Sequence, residues 1–452
     1  MNVHFIAIGG SVMHQLAISL KKKGYVVTGS DDEIFEPSKS TLEKENILPQ
    51  KMGWDVTKIT ANLDAIILGM HAKEDNPELQ KATALGLKIY SFPEYIFEES
   101  KNKIRVAIGG SHGKTSTTSM VMHVLKNADK DFDYLVGAAL HGFEQSVNIS
   151  DAPIIICEAD EYPASVIDKR PKFHFLFPNI AVLTGIAWDH INVFPTFDFY
   201  LEQFKIFIDT IEPKGVLIYN ASDETLSKLI DKNKRSDIRY IPYSLPTYFI
   251  DDGKTEVIIE GQKSSALRVF GNHNLLNLHA AYLVCKELGV GVQIFIKSIA
   301  NFEGAAKRLE LVSENDNHNI YRDFAHAPSK VKASIDAVKQ QFPNRKLIAV
   351  LELHTYSSLN ENFMKEYNGV MDNADIAIIF YSSHALELKR MPELLPEVVK
   401  QGFSKKDLIV INTKETLGKI LSKENYSNSN LLLMSSGNYD GLDILEIVNN
   451  KK

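Results

Sequence analysis

Short apolar runs alternate with amphipathic stretches of helical length along the whole chain. In the first segment Val3–Ile8 reads as a strand and Val12–Lys22 as a helix, followed by strand-like runs at Tyr25–Thr28, Ala65–Leu68 and Leu87–Tyr90. Such alternation predicts a parallel sheet with helices on its faces. The charged stretch Glu98–Lys103 reads as a linker. A second segment opens with the strand Ile104–Ile108, the loop Gly109–Gly113 and a helix from Lys114. Further buried strands are expected at Ile154–Cys157, Ala181–Thr184 and Val216–Tyr219, a long helix at Asn272–Leu288, and a hinge near Gly304–Val312. The third segment repeats the rhythm, with strands at Ile320–Asp323, Leu347–Leu351, Ile376–Phe380, Leu408–Ile411 and Leu431–Met434. Three successive α/β domains are predicted, spanning 1–102, 103–310 and 311–452.

Composition narrows the class. The chain has 452 residues, 44% of them hydrophobic, which is ample for several cores; about two to four domains are expected at ~100–200 residues each. The net charge is −7 and no long basic tract occurs, so no nucleic-acid partner is expected. A local cluster of cations can still hold a phosphate in an acidic protein. Cys157 and Cys285 both sit in apolar runs, which predicts buried free thiols rather than a disulfide framework or a zinc site. No run approaches the ~20 apolar residues of a membrane span. The first residues form a strand-like run, with no basic stretch leading into a long apolar one. A cytoplasmic enzyme without membrane insertion is the expectation.

The strongest chemical signal is Gly110-Ser111-His112-Gly113-Lys114-Thr115-Ser116, between a strand and a helix. Glycines admit a phosphate close to backbone N–H groups, the helix N-terminus and Lys114 supply positive charge, and Thr115 offers a hydroxyl to Mg²⁺. The plainer alternative is a glycine turn capping a helix, with Lys114 on the surface. An acidic cluster, Glu158-Ala159-Asp160-Glu161, follows one buried strand, and Asp189-His190 follows the next. Strand ends in an open parallel sheet line one crevice, where a carboxylate is well placed to hold Mg²⁺. Gly9-Gly10-Ser11 follows the first strand of the chain, and Ser30-Asp31 ends the second. That entry favours a diphosphate, but the full G-x-G-x-x-G is missing, which argues against a nicotinamide nucleotide.

Taken together and in order, these motifs resemble the Mur ligase family over nearly the whole chain. Gly110–Ser116 is similar to the family's G-T-x-G-K-T-T, Glu158–Glu161 to E-A-D-E, and Thr184–His190 to T-N-[IL]-x-x-D-H. Gly271–Asn277 is similar to G-x-H-N-x-x-N, Lys307–Glu310 to R-R-[FL]-E, and Asp323–Pro328 to D-[YF]-[AG]-H-x-P. Four stretches resemble the murein-tripeptide recycling branch: Ser30–Glu43, Asp168–Phe173, Leu351-Glu352 and Met434–Gly441. Departures are Gly185 in place of Asn, Ala187 in place of Glu, Pro163 where Asp is expected, and Leu353-His354 in place of Pro-Arg or Pro-His.

The resemblance implies a Rossmann-like UDP-sugar-binding domain, a central P-loop ATPase-type domain and a Rossmann-like C-terminal domain. It implies an ATP- and Mg²⁺-dependent ligase that activates the carboxylate of UDP-N-acetylmuramate as an acyl phosphate. The amine would be the murein tripeptide L-alanyl-γ-D-glutamyl-meso-diaminopimelate, with L-alanine as the alternative. Lys114, His190, Arg308 and His326 carry the implied catalytic roles. ATP falls to Gly110–Ser116, His273, Asn274, Asn277, Arg308 and Asp323, and the metal to Thr115, Glu158 and His190. Gly9, Gly10, Ser11, Ser30 and Asp31 face the UDP-sugar; Lys169, Arg170, His354 and Asn438 are candidate peptide contacts. Lys205, fifteen residues after His190, stands near the position of a carbamylated lysine in several family members, though an ordinary helix-surface lysine is the favoured reading. The rivals are a folate- or cyanophycin-type amide ligase and a non-catalytic nucleotide-binding regulator. The UDP-sugar-like first domain argues against the former, and the intact Lys114, Glu158, His190, Arg308 and Asp323 against the latter.

Overall fold

Asn2–Ile6 (β1), Val26–Ser30 (β2), Ala65–Leu68 (β3) and Ile89–Ser91 (β4) form a parallel sheet in the order β2-β1-β3-β4. This is a computed structural model; it describes every residue except 71, 138, 139, 141, 144, 166, 167, 189–192, 306, 307, 316, 317 and 450–452. β1 ends two residues earlier than its apolar run, because Ala7 takes a φ of 65° and the amides of Ala7 and Ile8 both turn to the carbonyl of Ser30. The turn aims residues 9–11 across the end of the sheet and into helix α1 (Met13–Lys22). The expected linker at Glu98–Lys103 is shorter than its charge suggested. Glu98–Ser100 completes helix α2 (Phe92–Ser100), which starts from a capping box between Ser91 and Glu94.

The central sheet has seven strands: Ile104–Gly109 (β5), Asp133–Leu135 (β6), Val147–Asn148 (β7), Ile154–Glu158 (β8), Ile180–Leu183 (β9), Val216–Asn220 (β10) and Arg239–Tyr243 (β11). Their order is β11-β10-β9-β5-β8-β6-β7, parallel except for β7. β5 lies between β8 and β9, with Ile108 opposite Glu158 and Gly109 opposite Leu183, so the three carboxyl ends meet. Cys157 is a buried free thiol on β8, and Cys285 is buried and free as well. Helices α3 (Lys114–Asn127), α4 (Phe197–Asp209) and α5 (Glu224–Lys232) follow β5, β9 and β10.

Three strands, Thr247–Asp251 (β12), Lys254–Ile259 (β13) and Gln262–Lys263 (β14), form an antiparallel meander that the apolar-run reading missed. Its signal was present. Asp252-Gly253 and Glu260-Gly261 are two-residue turns with positive φ at both positions, as type I′ hairpins require. Helix α6 (Asn272–Glu287) follows. The last sheet contains Glu310–Glu314 (β15), His318–Asp323 (β16), Lys346–Glu352 (β17), Ile376–Phe380 (β18), Ile409–Ile411 (β19) and Ser429–Met434 (β20), in the order β15-β16-β20-β17-β18-β19. Only β15 is antiparallel; it occupies the end of the expected hinge. Helix α7 (Pro328–Gln341) follows β16. The chain divides into two compact units: residues 1–245 with 276–299, and residues 246–275 with 300–452. Residues 246–275 and 300–310, expected in the central domain, thus group with the C-terminal sheet.

Candidate active site

The phosphate-loop candidate begins where β5 runs out. Gly110 has a φ of 123°, and a Cβ there would lie 2.2 Å from Thr184 Oγ1. Gly113, the cap of α3, has a φ of 84°, and its Cβ would lie 2.2 Å from Asn277 Oδ1. Both positions need glycine for the left-handed backbone and for the close neighbour. Lys114 is not a surface lysine. Its Nζ donates to Gly110 O at 2.7 Å and to Glu161 Oε2 at 2.6 Å, and Glu161 is 1% exposed. Burial alone would lower the Lys114 pKa. The carboxylates of Glu161, Asp160 and Glu158 outweigh it and hold the ammonium above its ordinary value.

Thr115 Oγ1 donates to Glu158 Oε1 at 2.8 Å, while the Gly137 amide donates to Glu158 Oε2 at 2.9 Å. The strand end thus presents a hydroxyl and a carboxylate oxygen side by side, the hard donor pair that Mg²⁺ prefers. Asp160 is turned to Lys172, whose Nζ donates to it at 2.8 Å. Burial would raise the Asp160 pKa, but Lys172 and Lys114 together hold it below its usual value. Of the acidic cluster, then, Glu158 faces Thr115, Glu161 holds Lys114, and Asp160 is spent on Lys172.

Two further groups organise this loop; the sequence singled out the segment from Thr184 as a motif but not Tyr200. The Tyr200 hydroxyl, on α4, is fully buried and lies 2.9 Å from Ser111 Oγ and 3.4 Å from Glu161 Oε1. It links the loop to the partner of Lys114. Residues 184–187 form the other wall: the Ser111 amide donates to Gly185 O, and the Ala187 amide to Ser111 Oγ. His112 turns its Nδ1 to Ser111 O at 2.7 Å. Ser116 is buried in the first turn of α3. Asp189 and His190, the expected metal and catalytic pair, lie outside the described residues. Lys205 Nζ donates to Glu202 Oε1 at 2.9 Å across an exposed turn of α4.

A second glycine loop lies at the end of β1. The Gly9 amide donates to Asp31 Oδ2 at 2.7 Å, and Lys58 Nζ donates to Gly29 O at 2.9 Å and Ser30 Oγ at 3.3 Å. A Cβ on Gly9 would meet both Asp31 and Ile34 at 2.9 Å, whereas one on Gly10 would press only on the flexible Met13 side chain, at 3.3 Å. Ser11 is exposed. Burial, only partly offset by the Gly9 amide, pushes the Asp31 carboxyl up to about 6. Arg170 is bound to Asp168 by Nε and Nη2 and lies 4.4 Å from the Phe175 ring centroid; Lys169 beside it is exposed.

In the second unit the Arg308 guanidinium stacks on Phe324 at 4.7 Å, and Asp323 accepts from Ser334 Oγ. Burial lowers the His273 pKa against the pull of Asp323. Asn274 Nδ2 donates to Phe270 O at 3.0 Å, so that amide serves the start of α6. His326 Nδ1 lies 2.9 Å from Phe324 O. Lys307 lies outside the described residues. At the carboxyl ends of β17 and β20, the buried Glu352 accepts from Ser435 Oγ and, at 2.9 Å, from the Tyr439 amide. Around it His354 Nδ1 and Ser436 Oγ are buried without a hydrogen-bond partner among the described residues. Asn438 lies in the same loop, before Tyr439–Gly441.

Comparison with known proteins bears on the whole chain. The Mur ligase family catalytic domain matches residues 2–103, the Mur ligase middle domain residues 108–285, and the Mur ligase glutamate ligase domain residues 307–437. The UDP-N-acetylmuramate–L-alanine ligase of Clostridium tetani is 31% identical over 458 residues, covering 96% of this chain and 95% of that one. The UDP-N-acetylmuramate–L-alanyl-gamma-D-glutamyl-meso-2,6-diaminoheptandioate ligase of Haemophilus influenzae is 28% identical over 361 residues, covering 78% and 79%. A murein peptide ligase from Psychrobacter arcticus 273-4 shares the fold, with a TM-score of 0.62 at 21% identity and coverage of 100% and 99%.

Proposed function

Because the chain belongs to the Mur ligase family of ATP-dependent amide ligases, we propose that it joins UDP-N-acetylmuramate to L-alanyl-γ-D-glutamyl-meso-diaminopimelate. The observation that carries the nucleotide half of this reading is the ion pair of the half-buried Lys114 with the buried Glu161, beside Thr115 and Glu158. A half-buried cation already aimed by a buried carboxylate needs little reorganisation when a triphosphate arrives, and such preorganised charge is a main way proteins assist phosphoryl transfer. Thr115 and Glu158 would hold Mg²⁺, which supplies charge neutralisation on the phosphates when bound. The lactyl carboxylate oxygen attacks the γ-phosphorus, and ADP leaves. The amine then attacks the carbonyl carbon, and phosphate leaves with that carboxylate oxygen. The loop Gly9–Ser11 with Ser30 and Asp31 is the proposed seat of the UDP-sugar, and residues 1–102, 103–310 and 311–452 are the proposed functional domains.

The choice of amine rests on the group at Glu352, His354, Ser436 and Asn438. Unsatisfied buried polar atoms are costly unless a ligand completes them. A tripeptide with two further carboxylates and a second amine offers many more partners than alanine. L-alanine is the second reading, favoured by the greater similarity to the Clostridium tetani enzyme. Turnover should be compared with the two amines at equal concentration, with UDP-N-acetylmuramate fixed and both ADP and product quantified. The tripeptide should be used about a hundredfold better in kcat/KM. Equal or better use of L-alanine would make the chain an alanine-adding enzyme.

A further inference from the structure

The wall formed by residues 184–187 is itself held from behind. Asp223 Oδ2 accepts the Ile186 amide at 2.8 Å, and Asp223 Oδ1 accepts the Leu226 amide at 2.9 Å as the cap of α5. Asn220, the last residue of β10, donates from Nδ2 to Thr184 O at 3.2 Å. On its other side the same segment is bonded to the phosphate loop and to the strand end that leads into it. The Thr184 hydroxyl shares its one proton between His112 O and Gly109 O, the Thr184 amide donates to Gly109 O at 3.0 Å, the Ser111 amide donates to Gly185 O at 2.9 Å, and the Ala187 amide donates to Ser111 Oγ at 2.8 Å. Gly185 sits between the two sets of bonds with a φ of 148°, and a Cβ there would lie 2.8 Å from Asp223 Oδ2. The Asp223 carboxylate therefore fills the space a side chain at 185 would need. This gives a physical reason for glycine at a position where the family motif carries asparagine.

We propose that Asp223 is a positioning residue for the phosphate loop: one carboxylate oxygen caps α5, and the other fixes the 184–187 segment that sets Ser111 and His112. An amide N–H aimed at an ionised oxygen is a strong, directional contact, so the segment is held at one register against the loop. The two oxygens have separable tasks, and that makes the role testable apart from stability.

Asp223→Asn keeps a good helix cap, because Asn and Asp are equivalent there. It replaces the second acceptor by an NH₂ group facing the Ile186 N–H. Asp223→Ser also caps the helix, but its side chain is one carbon shorter and offers a single oxygen. Binding of β,γ-imido-ATP by calorimetry, binding of UDP-N-acetylmuramate and the melting temperature are measured on the full chain. Both variants should bind the ATP analogue about tenfold more weakly or worse. UDP-N-acetylmuramate affinity should stay within about twofold, and melting should shift by no more than a few degrees. Gly185→Ala approaches the contact from the other side and should show the same selective loss. Combining it with Asp223→Ser should cost less than the sum of the two, because the clash partner is gone. ATP-analogue affinity within twofold of the parent in both Asp223 variants would overturn the proposal. So would equal weakening of both ligands together with a large drop in melting temperature, which marks a general structural role. The nucleotide arm stands on the ATP dependence of the family alone. A parent that fails to bind UDP-N-acetylmuramate would count against the substrate reading and leave the Asp223 test intact.

Discussion

Two glycine loops follow two first strands in this chain, and they are built for different work. At 110–113 the loop ends on a lysine whose ammonium is held by a buried carboxylate, and the next hydroxyl faces a second carboxylate. At 9–11 the loop has no lysine; its first amide is taken by the carboxylate of Asp31. The strand–glycine–helix entry is common to both and provides only backbone donors and a helix end. The side chains around it decide the chemistry. A cation ringed by carboxylates suits phosphoryl transfer, while an aspartate on the loop amide suits a group that is bound and left unreacted.

The largest effect separating the loops should come from Lys114→Ala. Turnover should fall by about 10³-fold or more, since a cation is lost from a buried phosphoryl-transfer site. Binding of UDP-N-acetylmuramate should be nearly unchanged. Near-parental ADP release would remove the distinction between the loops.

Gly113→Ala should come next. The alanine must take a left-handed backbone and displace the Asn277 amide, at about 2 kcal/mol or more. Chemical denaturation reads the stability, and ATP-analogue binding should weaken with it. Gly10→Ala, where a Cβ meets nothing closer than 3.3 Å, should be far milder. Equal costs at the two positions would contradict the geometry.

The smallest effect concerns pH. The Asp31 carboxyl titrates near 6 in the folded chain, above the ordinary value of 3.8. The folded state therefore binds the proton more tightly than the unfolded chain. The stability from this group is complete below about pH 4 and is lost as pH rises through about 6, to an extent of at most about 3 kcal/mol. Asp31→Asn lacks this titration. Its melting temperature relative to the parent should thus rise between pH 4.5 and pH 7.5, and a flat difference would show that Asp31 titrates normally.

The sequence made the phosphate loop legible because the fold needs glycine, lysine and threonine consecutively there, and an apolar run marks the strand before them. Most of the parallel strands were legible for the same reason: buried on both faces, they read as unbroken apolar runs. β6, β7 and β11 are too short or too mixed to stand out, and the β12–β14 meander alternates with polar residues and announces itself only at its two turns. Tyr200 and Asp223 were illegible because each looks like what it also is, an apolar-face helix residue and a helix cap. Their second contacts come from chain segments 37 to 89 residues away. Glu161 was visible within the acidic cluster, but only the structure distinguishes it from Glu158.

The central claim is that the first loop activates a carboxylate by transferring the γ-phosphoryl group to it. It is tested most directly with UDP-N-acetylmuramate labelled with ¹⁸O in the lactyl carboxylate, ATP and the tripeptide. Mass spectrometry of the released phosphate should find ¹⁸O from the substrate, with ADP formed in step with the amide. Product formed with unlabelled phosphate would contradict the acyl-phosphate route, whatever amine the enzyme prefers.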